Sequence, residues 1–212
     1  SGALVRTELA ENLQGIDYVY NLNGQLKAIN HPSLSATNDP GNDGNNGFAA
    51  DIFGVQLDYY TGDYTRTNTP KAIHTTTQGT DQYNGNIKAA RWNTHVPSST
   101  QQAYTFQYNK NNWMTQATFG QANPSAVFTP NTNNDYKEGD ITYDANGNIL
   151  SMQRKGYTDG AGSNDMDNFT YVYDADKKNR LSYVKDTNDN TITTRYSDLK
   201  NQEETLVFSI AT

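Results

Sequence analysis

The chain has 212 residues, a formal net charge of −7 and a sequence pI of about 4.8, with 34% hydrophobic residues yet 15 Tyr, 7 Phe and 2 Trp. An acidic chain without a Lys/Arg stripe argues against nucleic-acid phosphate as a partner and disfavours anionic membrane surfaces, and the lack of cysteine excludes disulfides, thiolate catalysis and Cys-zinc sites. Low hydrophobicity combined with many aromatics points to thin alternating sheets with one wetted face rather than to disorder.

Ser1-Gly2-Ala3 reads as a vector-derived remnant, and residues 4–200 as the β array. From Leu4 the pattern predicts a strand, with a short turn allowed within 5–14, then a hairpin over 16–29. His31-Pro32 stops pairing, because proline gives no ladder donor, and 33–47 is a polar, turn-rich loop insertion. Ile52, Phe53, Val55, Leu57 and Tyr59 predict a strand with Gly54 as a candidate bulge. Residues 65–82 read as extended connection or edge strand, followed by a hairpin about Asn84-Gly85 leading into Ile87–Trp92. Hairpins are then predicted over 104–119 and 139–157, separated by a loop over 120–134, and a last one over 169–186. Residues 191–196 and 205–210 are strand-like, and 201–212 reads as an uncapped edge strand or a continuation of the array. No segment holds a 3.6-residue period for a helical length, and no run of about 18 apolar residues exists to span a membrane. The fold class is all-β.

The hairpin over 139–157 holds Asn146-Gly147, a strong signal for a two-residue type I′ turn. That turn pairs Tyr143 with Leu150 and Ile141 with Met152. Its core, Tyr143-Asp144-Ala145-Asn146-Gly147-Asn148-Ile149, recurs as Tyr20-Asn21-Leu22-Asn23-Gly24-Gln25-Leu26 and as Tyr108-Asn109-Lys110-Asn111-Asn112-Trp113-Met114. A longer copy runs from Tyr173-Asp174 to Arg180-Leu181, and a shorter one covers Tyr83-Asn84-Gly85-Asn86-Ile87. The repeat anchors are therefore Tyr20, Tyr83, Tyr108, Tyr143 and Tyr173. The turn residues are Asn23-Gly24, Asn84-Gly85 and Asn146-Gly147. Most anchor spacings match those of stacked supersecondary units.

The Tyr-Asp frame, with DIFGVQLDYYTGDY (51–64), YNGNIKAARW (83–92) and ITYDANGNIL (141–150), resembles the YD repeats of the RHS family, in particular the long secreted or surface YD-repeat proteins of Gram-negative bacteria. The resemblance covers about 4–200. It implies stacked β-hairpins in a curved or spiral sheet, a segment of a shell that in toxin members surrounds a carboxy-terminal effector. Asp39-Pro40-Gly41 matches the family's self-cleavage motif only superficially, so no cleavage residue carries over.

His31, His74 and His95 are isolated, no Gly-x-Ser-x-Gly turn occurs, and no cofactor is expected. Asp39 and Asp43 lie in an oxygen-rich stretch that suggests calcium, but an EF-type alignment from Asp39 puts Gly41 and Ala50 at ligand positions, so a solvated loop is the plainer expectation. Trp92, Trp113, Tyr59 and Tyr60 are candidates for stacking on glycans, set against the reading that they pack neighbouring strands. Paired acids for glycoside hydrolysis arise by chance among 23 carboxylates. The expectation is a non-enzymatic scaffold, secreted or at the bacterial surface, whose partners are neighbouring repeats or its own open edges. A glycan-binding adhesin module is the alternative.

Overall fold

The computed structural model describes residues 2–64, 73–95, 100–158 and 163–188. The strand-like stretches 191–196 and 205–210 and the edge assigned to 201–212 lie outside the described residues. The chain is all-β, with every pairing antiparallel, and no helix occurs among the described residues. It divides into two compact units, Ser1–Asn131 and Thr132–Thr212.

The first unit holds β1 (Arg6–Leu9), β2 (Gln14–Tyr20), β3 (Leu26–Ile29), β4 (Phe53–Asp58), β5 (Ala89–Thr94), β6 (Gln101–Tyr108), β7 (Met114–Ala122) and β8 (Phe128–Pro130). They pair in sequence order as an open meander. The loop expected over 120–134 instead carries β7 on to Ala122 and contains β8, which pairs with 120–122 and places Pro130 at a strand end. The second unit holds β9 (Glu138–Tyr143), β10 (Ile149–Lys155), β11 (Asp165–Tyr173) and β12 (Leu181–Asp186), again paired in order.

Alternation along the strands of the first unit buries the face that the hydrophobic pattern would leave wet. On β4, Gly54, Gln56 and Asp58 are buried while Val55 and Leu57 are half-buried, and the partners opposite the buried set are Asn93, Arg91 and Ala89. On β6 the buried residues are Gln101, Ala103 and Thr105. The other face carries Val55, Leu57, Trp92, Tyr104, Phe106 and Phe119, all half-buried. Loops cover the polar face: Ile73 packs on Val19 and Ala28, with Tyr64 against them. The His74 carbonyl accepts from Arg91 Nη2 at 2.6 Å and from Gln56 Nε2 at 2.7 Å. Buried polar groups are tolerable when they are hydrogen-bonded, and here loop backbone supplies partners. Gly54 is not a bulge, because it pairs regularly with Asn93. Its missing side chain lets the His31 carbonyl cross, where a Cβ would collide.

The hairpin turns differ from the type I′ expectation in one respect with consequences. Gly147 has φ 86° but Asn146 is not in the left-handed region, and the register sets Tyr143 opposite Ile149 and Thr142 opposite Ser151. Tyr143 therefore does not pair with Leu150; Leu150 is an extra residue in a bulge. The reason lies in Asp144, whose Oδ1 accepts from the amides of Asn146 at 2.8 Å and Asn148 at 2.9 Å. The Asp144 amide donates to the Asn148 carbonyl at 3.0 Å. Such a side-chain-held turn is an Asx turn, followed by a glycine bulge.

The same arrangement recurs. Asn21 Oδ1 holds the Asn23 and Gln25 amides, and Asn109 Oδ1 holds those of Asn111 and Trp113. Gly24 and Asn112 take the left-handed position, with φ of 75° and 61°. In the longer copy Asp174 Oδ1 accepts from the amides of Asp176 and Lys177. Register shifts follow at the equivalent place, leaving Lys27, Thr115, Leu150 and Ser182 as the extra residues.

At Lys27 the bulge matters most. An extra residue breaks strict alternation, and both Lys27 and Ala28 are buried. The Lys27 ammonium then reaches Asp58 at 2.6 Å and Asp63 at 2.7 Å, with all three side chains fully buried. Both carboxylates have further donors: the Thr76 amide on Asp58, and the Tyr59 amide and the Thr75 hydroxyl on Asp63.

Candidate functional site

Tyr20, Tyr108, Tyr143 and Tyr173 each end a strand, at equivalent places before their turns. Tyr83 does not. It is 75% exposed, lies in a bend rather than a hairpin, and stacks on Tyr60 with ring centroids 4.7 Å apart. The residues about it form no strand; Gly85 has φ 98° and Asn84 Oδ1 accepts from the Asn86 amide.

The anchor's place is taken by Tyr59, which follows β4, while Ile87 precedes β5. Its hydroxyl donates to the Leu26 carbonyl at 2.8 Å. Tyr108 donates to the Ile87 carbonyl at 2.6 Å, and Tyr173 to the Ile149 carbonyl at 2.9 Å. In each case the acceptor is the aliphatic residue after the turn of the preceding hairpin. β4 and β5 thus pair as the two strands of a hairpin do, with residues 60–86 between Tyr59 and Ile87. Burial raises the pKa of Tyr59 and Tyr108, as expected for hydroxyls that act only as donors.

Tyr59 is 6% exposed and unavailable to a sugar. Trp92 is half-buried and stacks on Tyr104, with centroids 6.1 Å apart and planes 16° from parallel. Trp113 is half-buried in the turn beyond Tyr108, at the far end of β6 from Gln102, which faces Trp92. The two tryptophans do not form one platform.

The polar loop over 33–47 does not behave as a solvated excursion. Asp39 and Asp43 are 2% and 1% exposed, and with Asp17 of β2 their carboxylate oxygens lie within 4.8 Å of one another. Arg6 of β1 reaches Asp17 Oδ2 at 2.6 Å and Asp43 Oδ1 at 2.8 Å, and its guanidinium sits over the Phe48 ring. The amides of Gly15 and Asp43 donate to Asp43 Oδ2 and Asp39 Oδ2 respectively. Gly15 and Gly41 make room for the cluster, because a Cβ on either would collide with the Arg6 guanidinium and a neighbouring carboxylate.

Asp51, 3% exposed, adjoins them with its carboxyl in hydrogen-bonding reach of Asp39. Burial, the Asp39 charge and that hydrogen bond push its pKa to about 8, with Asp43 and Asp17 adding to the rise. Burial likewise raises Asp17, against the opposing hydrogen bond from Arg6. Burial works against the Arg6 cation, yet its hydrogen bonds to Asp43, Asp17 and Glu8 hold its pKa above the ordinary value. Asp39 Oδ1 and Asp51 Oδ1 are buried with no donor from any other described group, so a proton on Asp51 is what joins them.

Sequence reasoning reached Asp39 and Asp43 but missed Arg6, Asp17 and Asp51. It could not find them because the partners come from β1, β2 and the end of the loop, with no fixed spacing. No protein-family model matches the chain, and a search of curated proteins finds no match. No helix long and apolar enough to cross a membrane occurs among the described residues.

Proposed function

We propose that this chain is a non-catalytic structural scaffold, a stretch of YD/RHS-type hairpin wall from a large secreted or cell-surface bacterial protein. The observation that carries the reading is the repeated bond from the tyrosine of one hairpin to the carbonyl after the turn of the hairpin before it, at Tyr59, Tyr108 and Tyr173. Each hairpin is thereby closed by its neighbour, which is what a stacked array requires for stability. Buried polar residues here serve loop-to-sheet attachment: Lys27, Asp58 and Asp63 are enclosed and bonded to one another, and Arg91 is bonded through Nη2 to the His74 carbonyl.

The glycan-binding alternative draws on the half-buried aromatic face and on the Tyr60–Tyr83 stack. The experiment that separates them is a glycan array together with unfolding of Tyr59→Phe, Tyr108→Phe and Tyr173→Phe variants. The scaffold reading expects no glycan signal and a stability loss in each tyrosine variant. Glycan binding that disappears in Trp92→Ala or Tyr83→Ala would replace it with the adhesin reading.

A further inference from the structure

We propose that Asp17, Asp39 and Asp43, backed by Asp51, form a binding site for one divalent cation of the calcium type. Three buried carboxylates with oxygens within 4.8 Å of one another converge from β2 and from the loop that follows β3. Independent of that convergence, the buried Asp51 carboxyl faces Asp39, and the only donor for Asp51 Oδ1 and Asp39 Oδ1 among the described residues is a proton held between the two carboxyls, which a cation would displace. Arg6 does not resolve this. Its nitrogens are engaged by Asp17, Asp43 and Glu8, and one guanidinium stands against four acids.

A buried carboxylate oxygen without a donor calls for a proton or a cation. The donors are all hard oxygens, with no Cys in the chain and no His in the convergent set, which favours Ca²⁺ over zinc or copper. The arrangement is not an EF-type loop, since Asp17 lies on a strand outside the Asp39–Asp51 segment. Bound there, the ion would join the 33–51 loop to the sheet. The proposal goes beyond the scaffold reading and does not depend on it.

The test is calcium titration of the full chain after chelation, by calorimetry and by thermal unfolding in CaCl₂ against EDTA and against NaCl of equal ionic strength. A saturable single-site heat is expected, with a dissociation constant of roughly 10⁻⁴ to 10⁻³ M or tighter, and a rise of several degrees in the unfolding midpoint. Asp39→Asn keeps an acceptor for the Asp43 amide and should weaken binding at least tenfold while unfolding no earlier in EDTA. If Asp39→Asn does not fold, Asp51→Asn takes its place with the same expectation. No saturable heat in the unaltered chain, a midpoint that moves equally with NaCl, or a folded variant that binds calcium undiminished would overturn the site.

Discussion

The Tyr108 hydroxyl donates to the Ile87 carbonyl at 2.6 Å, across the boundary between one hairpin and the one before it. Removing the hydroxyl leaves a half-buried carbonyl short of its donor. Tyr108→Phe should therefore cost about 1 to 2 kcal/mol in urea unfolding. Tyr83→Phe should cost almost nothing, because that ring is exposed and closes no hairpin. Equal effects at the two positions would remove the distinction drawn between them.

The opening turn of the second unit makes a sharper test. Gly147 sits at φ 86° and Asn146 does not share the left-handed conformation. Gly147→Val should destabilise by about 1 kcal/mol or more, whereas Asn146→Ala should stay within about 0.5 kcal/mol. A large loss at Asn146 would favour the two-residue type I′ turn instead.

Lys27 holds two enclosed carboxylates at 2.6 and 2.7 Å. Lys27→Met takes away the cation bonded to both acids and leaves Asp63 with neutral donors and Asp58 with neutral donors and the Arg91 charge, so a loss of about 3 to 5 kcal/mol is expected. Denaturant melts of the variant measure it. Adding Asp63→Asn to Lys27→Met should recover part of the loss, and a double variant less stable than the single one would contradict the charge argument.

Asp51 gives a pH dependence with a defined sign. Its folded pKa, about 8, lies above the ordinary 3.8. A group raised on folding stabilises fully below its unfolded pKa, and that contribution is lost as pH climbs to the folded value. In EDTA, stability should fall between about pH 4 and pH 8, since ionised Asp51 faces Asp39, Asp43 and Asp17, with Arg6 the one cation bonded to the cluster among the described residues. Asp51→Asn should flatten that decline. A decline of unchanged slope in Asp51→Asn would place its origin elsewhere.

How much could be read in advance follows the range of each interaction. The turn frame was legible because its bonds join residues within four positions, as at Asp144 and Asn148. The lettering alone did not reveal that the acid or amide after the tyrosine fixes the turn through its side chain, so the pairing of Tyr143 came out one residue away. Tyr59 escaped notice because residues 60–86 separate it from Ile87, while Tyr83 carried the local pattern without the neighbour that gives it meaning. The buried charge groups were hidden for a related reason. Arg6 and Asp43 lie 37 positions apart, and Lys27 and Asp63 lie 36 apart. The inward turn of Lys27 depends on a bulge that alternation rules do not foresee.

The tyrosine-to-carbonyl bond ignores how the chain travels between the two strands it follows. Leu26 closes a five-residue turn and Ile87 ends a far longer excursion, yet each presents its carbonyl to the next tyrosine in the same way. Such a joint lets the outer connections lengthen, shorten or diverge while the spacing of the strands stays put. A ribbon joined in this way can carry added surface in its outer connections without its neighbours having to be rebuilt.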